Sequence, residues 1–326
     1  MMLPKGWELK KVGELCEVKG GKRLPKNALF SDRPTNRPYL RVTDMTNKSI
    51  NNRELKYISE DMFEKIKKYT ISKEDVYITI AGTLGSSGIV PAELDGASLT
   101  ENAAKLVIKD KQKLNKSYLV YAIDSSVTRL QIKNLMGVVG VPKLALFRIE
   151  SITIPLPPLS VQHRIVSILE NAEAIKEKRK QIIEYTNQLA QSVFLEMFGD
   201  PEANLAGWIV KPIEDTCGMT SGGTPNRSKL QYYRNGEIPW VKSGEVNNRY
   251  IFDTEEKITE EGLKNSSAKY FEPNTILVAM YGATAGKIAV LKIKATTNQA
   301  IAGLTCDQNI VHYEYIHHCL EKMSAK

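Results

Sequence analysis

Apolar side chains recur at spacings of three, four and seven residues through the middle of the chain, between Ser160 and Phe198. Three of the four residues at 155–158 are prolines, which are excluded from a helix interior, and Gly199-Asp200-Pro201 supplies a stop signal. The pattern predicts one helix of about 38 residues, roughly 57 Å long at ~1.5 Å per residue. Its apolar stripe consists of Ile165, Ile168, Leu169, Ile175, Ile182, Leu189 and Val193.

A helix with a stripe of this length needs a partner, because a long exposed apolar stripe marks a contact surface. A core helix of a bundle is one interpretation. The proline-rich entry and the Gly-Asp-Pro exit favour a spacer between domains instead. We therefore predict a coiled-coil-like spacer whose seven stripe residues form a helix or partner interface.

The segments on either side of this helix repeat each other at an offset of 200 or 201 residues. Six matches in register, across about 80 residues, indicate a duplicated domain. The matches are Gly6-Trp7 with Gly207-Trp208, Cys16 with Cys217, Gly21 with Gly222, Pro38 to Arg41 with Pro239 to Lys242, Ile58 to Glu60 with Ile258 to Glu260, and Val76 to Ile78 with Ile276 to Val278, and Gly82 with Gly282 extends the series.

Each copy has the pattern of an α+β domain. Short apolar runs predict strands at 38–42, 76–81 and 105–108. Ser59 is expected to cap a helix over 59–68, with a counterpart over 259–264, and further helices are expected over 118–130 and 313–322. We predict a first domain over 1–158, a spacer helix over 159–198 and a second domain over 199–326. The second copy matches only 6–125 of the first, which predicts an incomplete second domain.

Charge distinguishes the two copies. The chain has a net charge of +8, and residues 1–150 carry 26 Lys and Arg against 17 Asp and Glu. A basic first domain suits a polyanion such as DNA, although a solvated basic face is the simpler alternative. No apolar run or export signal predicts membrane insertion, so we expect a cytoplasmic chain. The four cysteines are widely spaced, which favours reduced, buried thiols over a disulfide or zinc site.

Catalytic motifs are not evident. Residues 282–287, GATAGK, have three residues between the glycines and Ile288 after the lysine, so they fail as a phosphate-binding loop and predict a tight turn between strands. His317 and His318 are adjacent on a predicted helix and are expected to face different directions, which argues against a metal site. His163 is expected to be a solvated residue at the start of the long helix.

Basic, hydroxyl and aromatic residues are interleaved in loops of both copies, a composition that suits phosphate and base-edge contacts in DNA. Ordinary polar surface loops are the alternative. The DNA-binding candidates are Lys19, Lys22, Arg23, Arg33, Arg37, Arg41, Thr83, Ser86 and Ser87 in the first copy and Thr224, Asn226, Arg227, Lys229, Tyr232, Tyr233, Lys242, Ser243, Tyr281, Thr284 and Lys287 in the second.

Several strings occur in a characteristic order over nearly the whole chain. They are the Gly-Trp opening of each copy, Ile154 to Gln162, Ser221 to Pro225, Ile238 to Gly244, Leu277 to Thr284 and Thr297 to Ala300. In these strings the chain resembles the specificity subunit of type I restriction-modification systems. The resemblance implies two target recognition domains, each reading one half of a split sequence in double-stranded DNA, spaced by long helices that pair antiparallel.

The resemblance also implies partners. These are methyltransferase subunits that carry S-adenosylmethionine and a motor-nuclease restriction subunit that uses ATP and Mg²⁺, while this chain itself holds no cofactor and no metal and is not an enzyme. A truncated regulatory or decoy subunit that binds partners without productive recognition is an alternative. An enzyme acting on nucleic acid would need a methyltransferase or nuclease motif, and we find neither. The unpaired stripe of the spacer helix predicts a homodimer as well.

Overall fold

The computed structural model describes residues 4–25, 28–135, 143–247 and 249–324. The chain divides into two compact units, Met1–Lys178 and Arg179–Lys326. The boundary falls within a long helix, so the predicted spacer over 159–198 is shared between the units. The domain limits proposed from the sequence stay a prediction.

The first unit contains twelve strands among its described residues, which are β1 (Glu8–Lys11), β2 (Cys16–Gly20), β3 (Pro38–Leu40), β4 (Met45–Thr46), β5 (Ser49–Ile50), β6 (Lys56–Tyr57), β7 (Thr70–Ile71), β8 (Val76–Thr79), β9 (Ser87–Ile89), β10 (Ala97–Leu99), β11 (Ala103–Ile108) and β12 (Thr153–Leu156). Its helices are α1 (Val12–Leu15), α2 (Glu60–Ile66), α3 (Lys116–Asp124), α4 (Ser126–Leu135) and α5 (Leu146–Ser151). Helix α6 (Leu159–Phe198) continues into the second unit.

The described part of the second unit contains the strands β13 (Cys217–Ser221), β14 (Ile238–Val241), β15 (Tyr250–Ile251), β16 (Glu256–Ile258), β17 (Tyr270–Phe271), β18 (Ile276–Ala279), β19 (Ile288–Leu291), β20 (Ala295–Thr297) and β21 (Ile301–Cys306). Its own helices are α7 (Glu260–Lys264) and α8 (Tyr313–Ser324). This mixture of helix and strand confirms the predicted α+β class.

Both units share the strand order of two four-stranded sheets, and the second unit adds β15 to the edge of one of them. The first has sheets in the orders β6-β3-β10-β7 and β2-β11-β8-β9, and the second has β16-β14-β20-β17 and β13-β21-β18-β19-β15. Directions match as well, since β3 pairs with β10 and β14 pairs with β20, both in parallel. The duplication predicted from the sequence is therefore confirmed at the level of strand order.

Buried apolar side chains hold each pair of sheets together. Leu40, Tyr77 and Leu99 in the first unit are at most 1% exposed, and so are Trp240 and Leu277 in the second. Leu40 and Tyr77 lie on the short apolar runs from which strands were predicted, and Trp240 and Leu277 lie on the matching runs of the second copy. Their removal from water supplies the main stabilisation of both domains.

The predicted helix ends are largely confirmed. The Ser59 hydroxyl accepts a hydrogen bond from the Met62 N–H at 3.3 Å and caps α2, and Thr259 caps α7 in the same way at 3.1 Å. The single helix expected over 118–130 is wrong. Ser125 has extended backbone, and its hydroxyl accepts the Thr128 N–H at 3.4 Å, so it ends α3 and caps α4.

Helix α6 has the predicted extent and an exposed stripe. Ile168, Ile175, Ile182 and Leu189 are 58, 58, 62 and 64% exposed, which contradicts the alternative of a core bundle helix. The stripe also includes Ile165, which is half-buried, Leu169 and Val193. His163 is exposed, as predicted. Within the described ranges, no helix combines the length and apolar character needed to cross a membrane.

Candidate nucleic-acid interface

Four loops meet at one end of the paired sheets in each domain, and we call this region the loop edge. In the first domain it comprises residues 20–23, 42–44, 80–86 and 99–103. In the second domain it comprises residues 221–224, 243–245, 280–287 and 297–301.

Backbone hydrogen bonds connect the loops of the first domain. The Lys22 N–H donates to the Leu99 carbonyl at 2.8 Å, and the Ile80 N–H donates to the Asn102 carbonyl at 2.8 Å. The Thr100 N–H donates to the carbonyl of the last residue of β3 at 3.1 Å. The loop at 99–103 is thus hydrogen-bonded to the first loop, to the 80–86 turn and to the end of β3.

The second domain repeats this network. The Gly223 N–H donates to the Thr297 carbonyl at 2.9 Å, and the Met280 N–H donates to the Ala300 carbonyl at 2.8 Å. The Asn298 N–H donates to the carbonyl of the last residue of β14 at 3.0 Å. Because the same connections recur, the positions that make them can be matched between the two loop edges, with the turn at 280–287 one residue longer than that at 80–86.

A buried aromatic residue anchors the first loop in both domains. The Tyr39 hydroxyl donates to the Lys22 carbonyl at 2.8 Å, and the Trp240 indole N–H donates to the Gly223 carbonyl at 3.0 Å. Tyr39 and Trp240 occupy matching positions on β3 and β14 and are 4% and 1% exposed. The aromatic side chain therefore serves both the core and the placement of the loop.

The 3-10 turns at 42–44 and 243–245 are closed by a carboxylate in both copies. The Arg41 N–H donates to Asp44 at 2.8 Å, and the Lys242 N–H donates to Glu245 at 3.0 Å. The Arg41 guanidinium also donates to Asp44, at 2.6 Å, and Asp44 is buried. The Arg41 side chain therefore stabilises this turn, a structural role that the sequence did not indicate.

The predicted residues of the first domain are divided between the loop edge and its flanks. Lys22, Arg23 and Thr83 are exposed on the loop edge, and Ser86 is half-buried there. The flanking residues are Lys19, paired with Glu17 at 2.5 Å, Arg33, which is exposed, and Arg37, paired with Glu60 at 2.7 Å and stacked 3.7 Å from the Phe63 ring centroid.

In the second domain the loop edge carries Thr224, Ser243, Tyr281, Thr284 and Lys287. The Thr284 hydroxyl donates to the Ser243 carbonyl at 3.0 Å, and Lys287 donates to Asn247 at 2.7 Å. Tyr281 is 51% exposed. Asn226, Arg227, Lys229 and Tyr233 lie on the adjoining segment at 226–233.

Two cations of the second domain lie among acidic and aromatic groups. Arg227 pairs with Glu256 at 2.6 Å, and its guanidinium carbon lies 4.6 Å from the ring centroids of Tyr233 and Trp240. Lys242 contacts Glu256 as well, at 3.2 Å. The hydrogen bond from Arg227 holds the pKa of the Glu256 carboxyl below its ordinary value, so the pair stays charged.

Two of the predicted DNA contacts need correction. Ser87 is 6% exposed and its hydroxyl donates to the Val120 carbonyl at 3.4 Å. Tyr232 is 3% exposed, with its hydroxyl accepting from Lys229 at 3.1 Å. Their side chains belong to the interior of their domains, and we remove both from the candidate interface.

The turn at 280–287 agrees with its prediction. It joins the antiparallel strands β18 and β19, and Gly282 and Gly286 have φ of +86° and +79°. Only glycine adopts such values without strain. The segment is a hairpin turn on the loop edge.

The two histidines of α8 do not face different directions, contrary to the prediction from their adjacent positions. His317 and His318 are both buried, and their Nδ1 atoms lie 4.0 and 3.6 Å from the same Glu321 oxygen. The Arg249 guanidinium lies 2.5 Å from Nε2 of His318. Burial, reinforced by the charge of Arg249, lowers the pKa of His317 to about 4. The guanidinium already places a positive charge here, which opposes a metal cation.

The cysteines are buried or half-buried thiols, as expected. Cys217 and Cys306 face each other across the β13 and β21 pair with their sulfur atoms 3.0 Å apart. Their spacing in the sequence gave no sign of this proximity.

The chain thus contains two copies of one α+β domain, and each presents the same four-loop edge with basic and hydroxyl side chains. A family model described as the type I restriction modification DNA specificity domain matches residues 4–185 and 206–326. The chain belongs to this family.

Similar proteins include the EcoR124I/EcoR124II specificity subunit of Escherichia coli, 29% identical over 187 residues, which cover 52% of this chain and 43% of that subunit. The MjaIX specificity subunit of Methanocaldococcus jannaschii is 22% identical over 344 aligned positions, covering 99% of this chain and 78% of that protein. The chain therefore aligns with less than half of the first relative and with most of the second.

The crystal structure of the type I restriction-modification S subunit from M. genitalium has the same fold. Its TM-score is 0.58 at 16% identity, over 99% of this chain and 79% of that one. A second structure, concerned with assembly and conformational transition of the type I system, has a TM-score of 0.50 at 18% identity. At such identities the likeness concerns the fold alone.

Proposed function

We propose that this chain is the DNA-recognition subunit of a type I restriction-modification complex. Each domain reads one half of a split target through its loop edge. The observation that supports this most is the repetition of the four-loop network on two domains whose loop residues differ. A common frame with different side chains suits two different half-sites.

The chain contributes recognition and no chemistry in this proposal. Methyltransferase subunits that bind S-adenosylmethionine and a restriction subunit that uses ATP and Mg²⁺ act at the sites that it selects, in the cytoplasm. The relatives named above are specificity subunits, which supports this division of labour.

Methylation mapping tests the proposal. The chain, combined with its methyltransferase subunits, is expected to direct methylation to one target with two defined blocks separated by an undefined spacer. Tyr281→Ala with Lys287→Ala, on the second loop edge, is expected to relax one block and leave the other intact. Relaxation of both blocks would contradict separate half-site reading. Assembly with the methyltransferase but without DNA binding would favour the decoy alternative.

We further propose that α6 mediates association. Its stripe exposes Ile168, Ile175, Ile182 and Leu189. Covering several hundred Å² of apolar surface, at about 25 cal/mol per Å², favours association by several kcal/mol. A second copy lying antiparallel along the stripe satisfies this requirement by two-fold symmetry.

Light scattering is expected to give the mass of a dimer for the parent chain at tens of micromolar. An association free energy of several kcal/mol from apolar burial is of the order needed for dimerisation at that concentration. Ile168→Asp with Ile175→Asp should yield a monomer, because two charges would be buried in the interface. Glu177→Lys with Glu184→Lys changes charge on the opposite side of the helix and should leave the dimer intact. A monomeric parent chain would contradict self-association.

A further inference from the structure

A side-chain bridge connects the first and fourth loops of the loop edge in both domains. In the first domain Arg23 Nε donates to Glu101 Oε1 at 2.6 Å. In the second domain the Thr224 hydroxyl donates to Gln299 Oε1. The two bridges differ completely in chemistry.

These bridges occupy the same place in the fold. Arg23 and Thr224 are each the second residue after the matched glycines Gly21 and Gly222. Glu101 immediately precedes Asn102, whose carbonyl accepts from the 80–86 turn. Gln299 has the same relation to Ala300 and the 280–287 turn, since the carbonyl of Ala300 accepts from Met280.

The bridges lie at the surface on a rigid base. The side chain of Arg23 is 79% exposed, that of Glu101 is 23% exposed, and Gln299 is exposed. Directly beneath, the buried Tyr39 and Trp240 fix the carbonyl that precedes Arg23 or Thr224. An exposed polar pair whose loop is held by a buried aromatic side chain is suited to contact with a ligand, because little conformational entropy of the loop is lost on binding.

We propose that this bridge is a base-reading position in each domain, an inference that rests on the proposed function. Of the donors on Arg23, the Nε–H is the one that Glu101 accepts. The terminal nitrogens of the guanidinium carry further donors for O6 and N7 of guanine. The Arg23 bridge reads guanine in the half-site of the first domain.

The bridge of the second domain reads adenine. The Thr224 hydroxyl occupies one lone pair of Gln299 Oε1 and thereby orients the amide. The second lone pair of Oε1 and the Nε2 donors then match N6 and N7 of adenine, which glutamine recognises in a bidentate manner. The same loop arrangement thus reads a different base in each domain because it carries a different pair of bridging residues.

Exchanging the bridges tests the inference. The full chain, assembled with its methyltransferase subunits, is used to select from a library of random-sequence DNA duplexes, and Arg23→Thr with Glu101→Gln gives the first domain the bridge of the second. Guanine at one position of one half-site should be replaced by adenine, with a change in preference of about five- to 150-fold. The other half-site should be unchanged. The reverse exchange, Thr224→Arg with Gln299→Glu, should alter only the second half-site.

A conservative variant separates base reading from a structural latch. Arg23→Lys keeps the positive charge and a donor for Glu101 but loses the planar fork, so guanine preference should fall by about five- to 150-fold at an unchanged salt dependence. If the parent chain selects two half-sites and both exchanges and Arg23→Lys leave them unaltered, the inference is overturned and the proposed function stands. If the parent chain selects no sequence, the proposed function itself is overturned.

Discussion

Replacing Gly222 with alanine is expected to disrupt the second domain. A Cβ atom at this position would lie 2.2 Å from the Thr297 carbonyl oxygen and 2.1 Å from its hydroxyl, with the backbone of β20 immediately behind. Side-chain movement cannot relieve a clash with a backbone carbonyl, so the first loop must separate from the fourth. Overpacking of this kind costs about 3 kcal/mol or more.

Urea unfolding of the full chain measures this effect, with Gly244→Ala as the matched control. Gly244 lies on the same loop edge, and a Cβ there would meet nothing within 4 Å. We expect the control to unfold with the parent chain. Equal stability of Gly222→Ala and Gly244→Ala would show that the loops approach less closely than described.

The same close approach explains why the duplication was visible in the sequence. Gly21 and Gly222 match because a side chain at either position would meet a carbonyl, at 2.0 Å in the first domain. Tyr39 and Trp240 match because each must fill the core and hold a loop carbonyl. Such requirements restrict a position to a few residue types, and the repeat retains them.

The membership of the candidate site was only partly predictable. Glu101 and Gln299 were missed as site residues, since they reach the first loop only through the antiparallel pairing of β2 with β11 and of β13 with β21. Pairing between distant strands leaves no periodic signal in a single sequence. Gln299 did fall within a string, Thr297 to Ala300, that indicated the family.

The sequence predicts where the positively charged side chains occur better than it predicts which of them are free to contact DNA. The sequence identifies each Lys and Arg but not the carboxylate that the fold brings to it, such as Glu60 beside Arg37, which lies 23 residues away along the chain. Arg41 and Lys242 are likewise paired with acidic groups. The cations that remain exposed on the first loop edge are Lys22 and Arg23, and of these Arg23 is paired with Glu101.

Removing these two charges is therefore expected to weaken DNA binding in a salt-dependent manner. Each phosphate contact contributes about 0.9 to the slope of log affinity against log salt, and of the two residues only Lys22 is assigned to phosphate, so Lys22→Ala with Arg23→Ala should reduce the magnitude of the slope by about 0.9. At 0.1 M salt that difference corresponds to roughly eightfold lower affinity from the phosphate contact alone. Fluorescence anisotropy with a labelled duplex, measured over a series of salt concentrations, gives both quantities.

The control removes the same charge from the other end of strand β11. Lys111 and Lys113 follow this strand, whereas the loop edge precedes it, and six strand residues separate the two ends by roughly 20 Å. Lys111→Ala with Lys113→Ala should leave the slope within experimental error of the parent value, because a basic net charge alone does not create a phosphate contact. An equal loss of slope in both double variants would mean that the whole basic domain attracts DNA without a defined face. A loss confined to the control would place the DNA at the opposite end of the sheet and would contradict the loop edge as the binding surface.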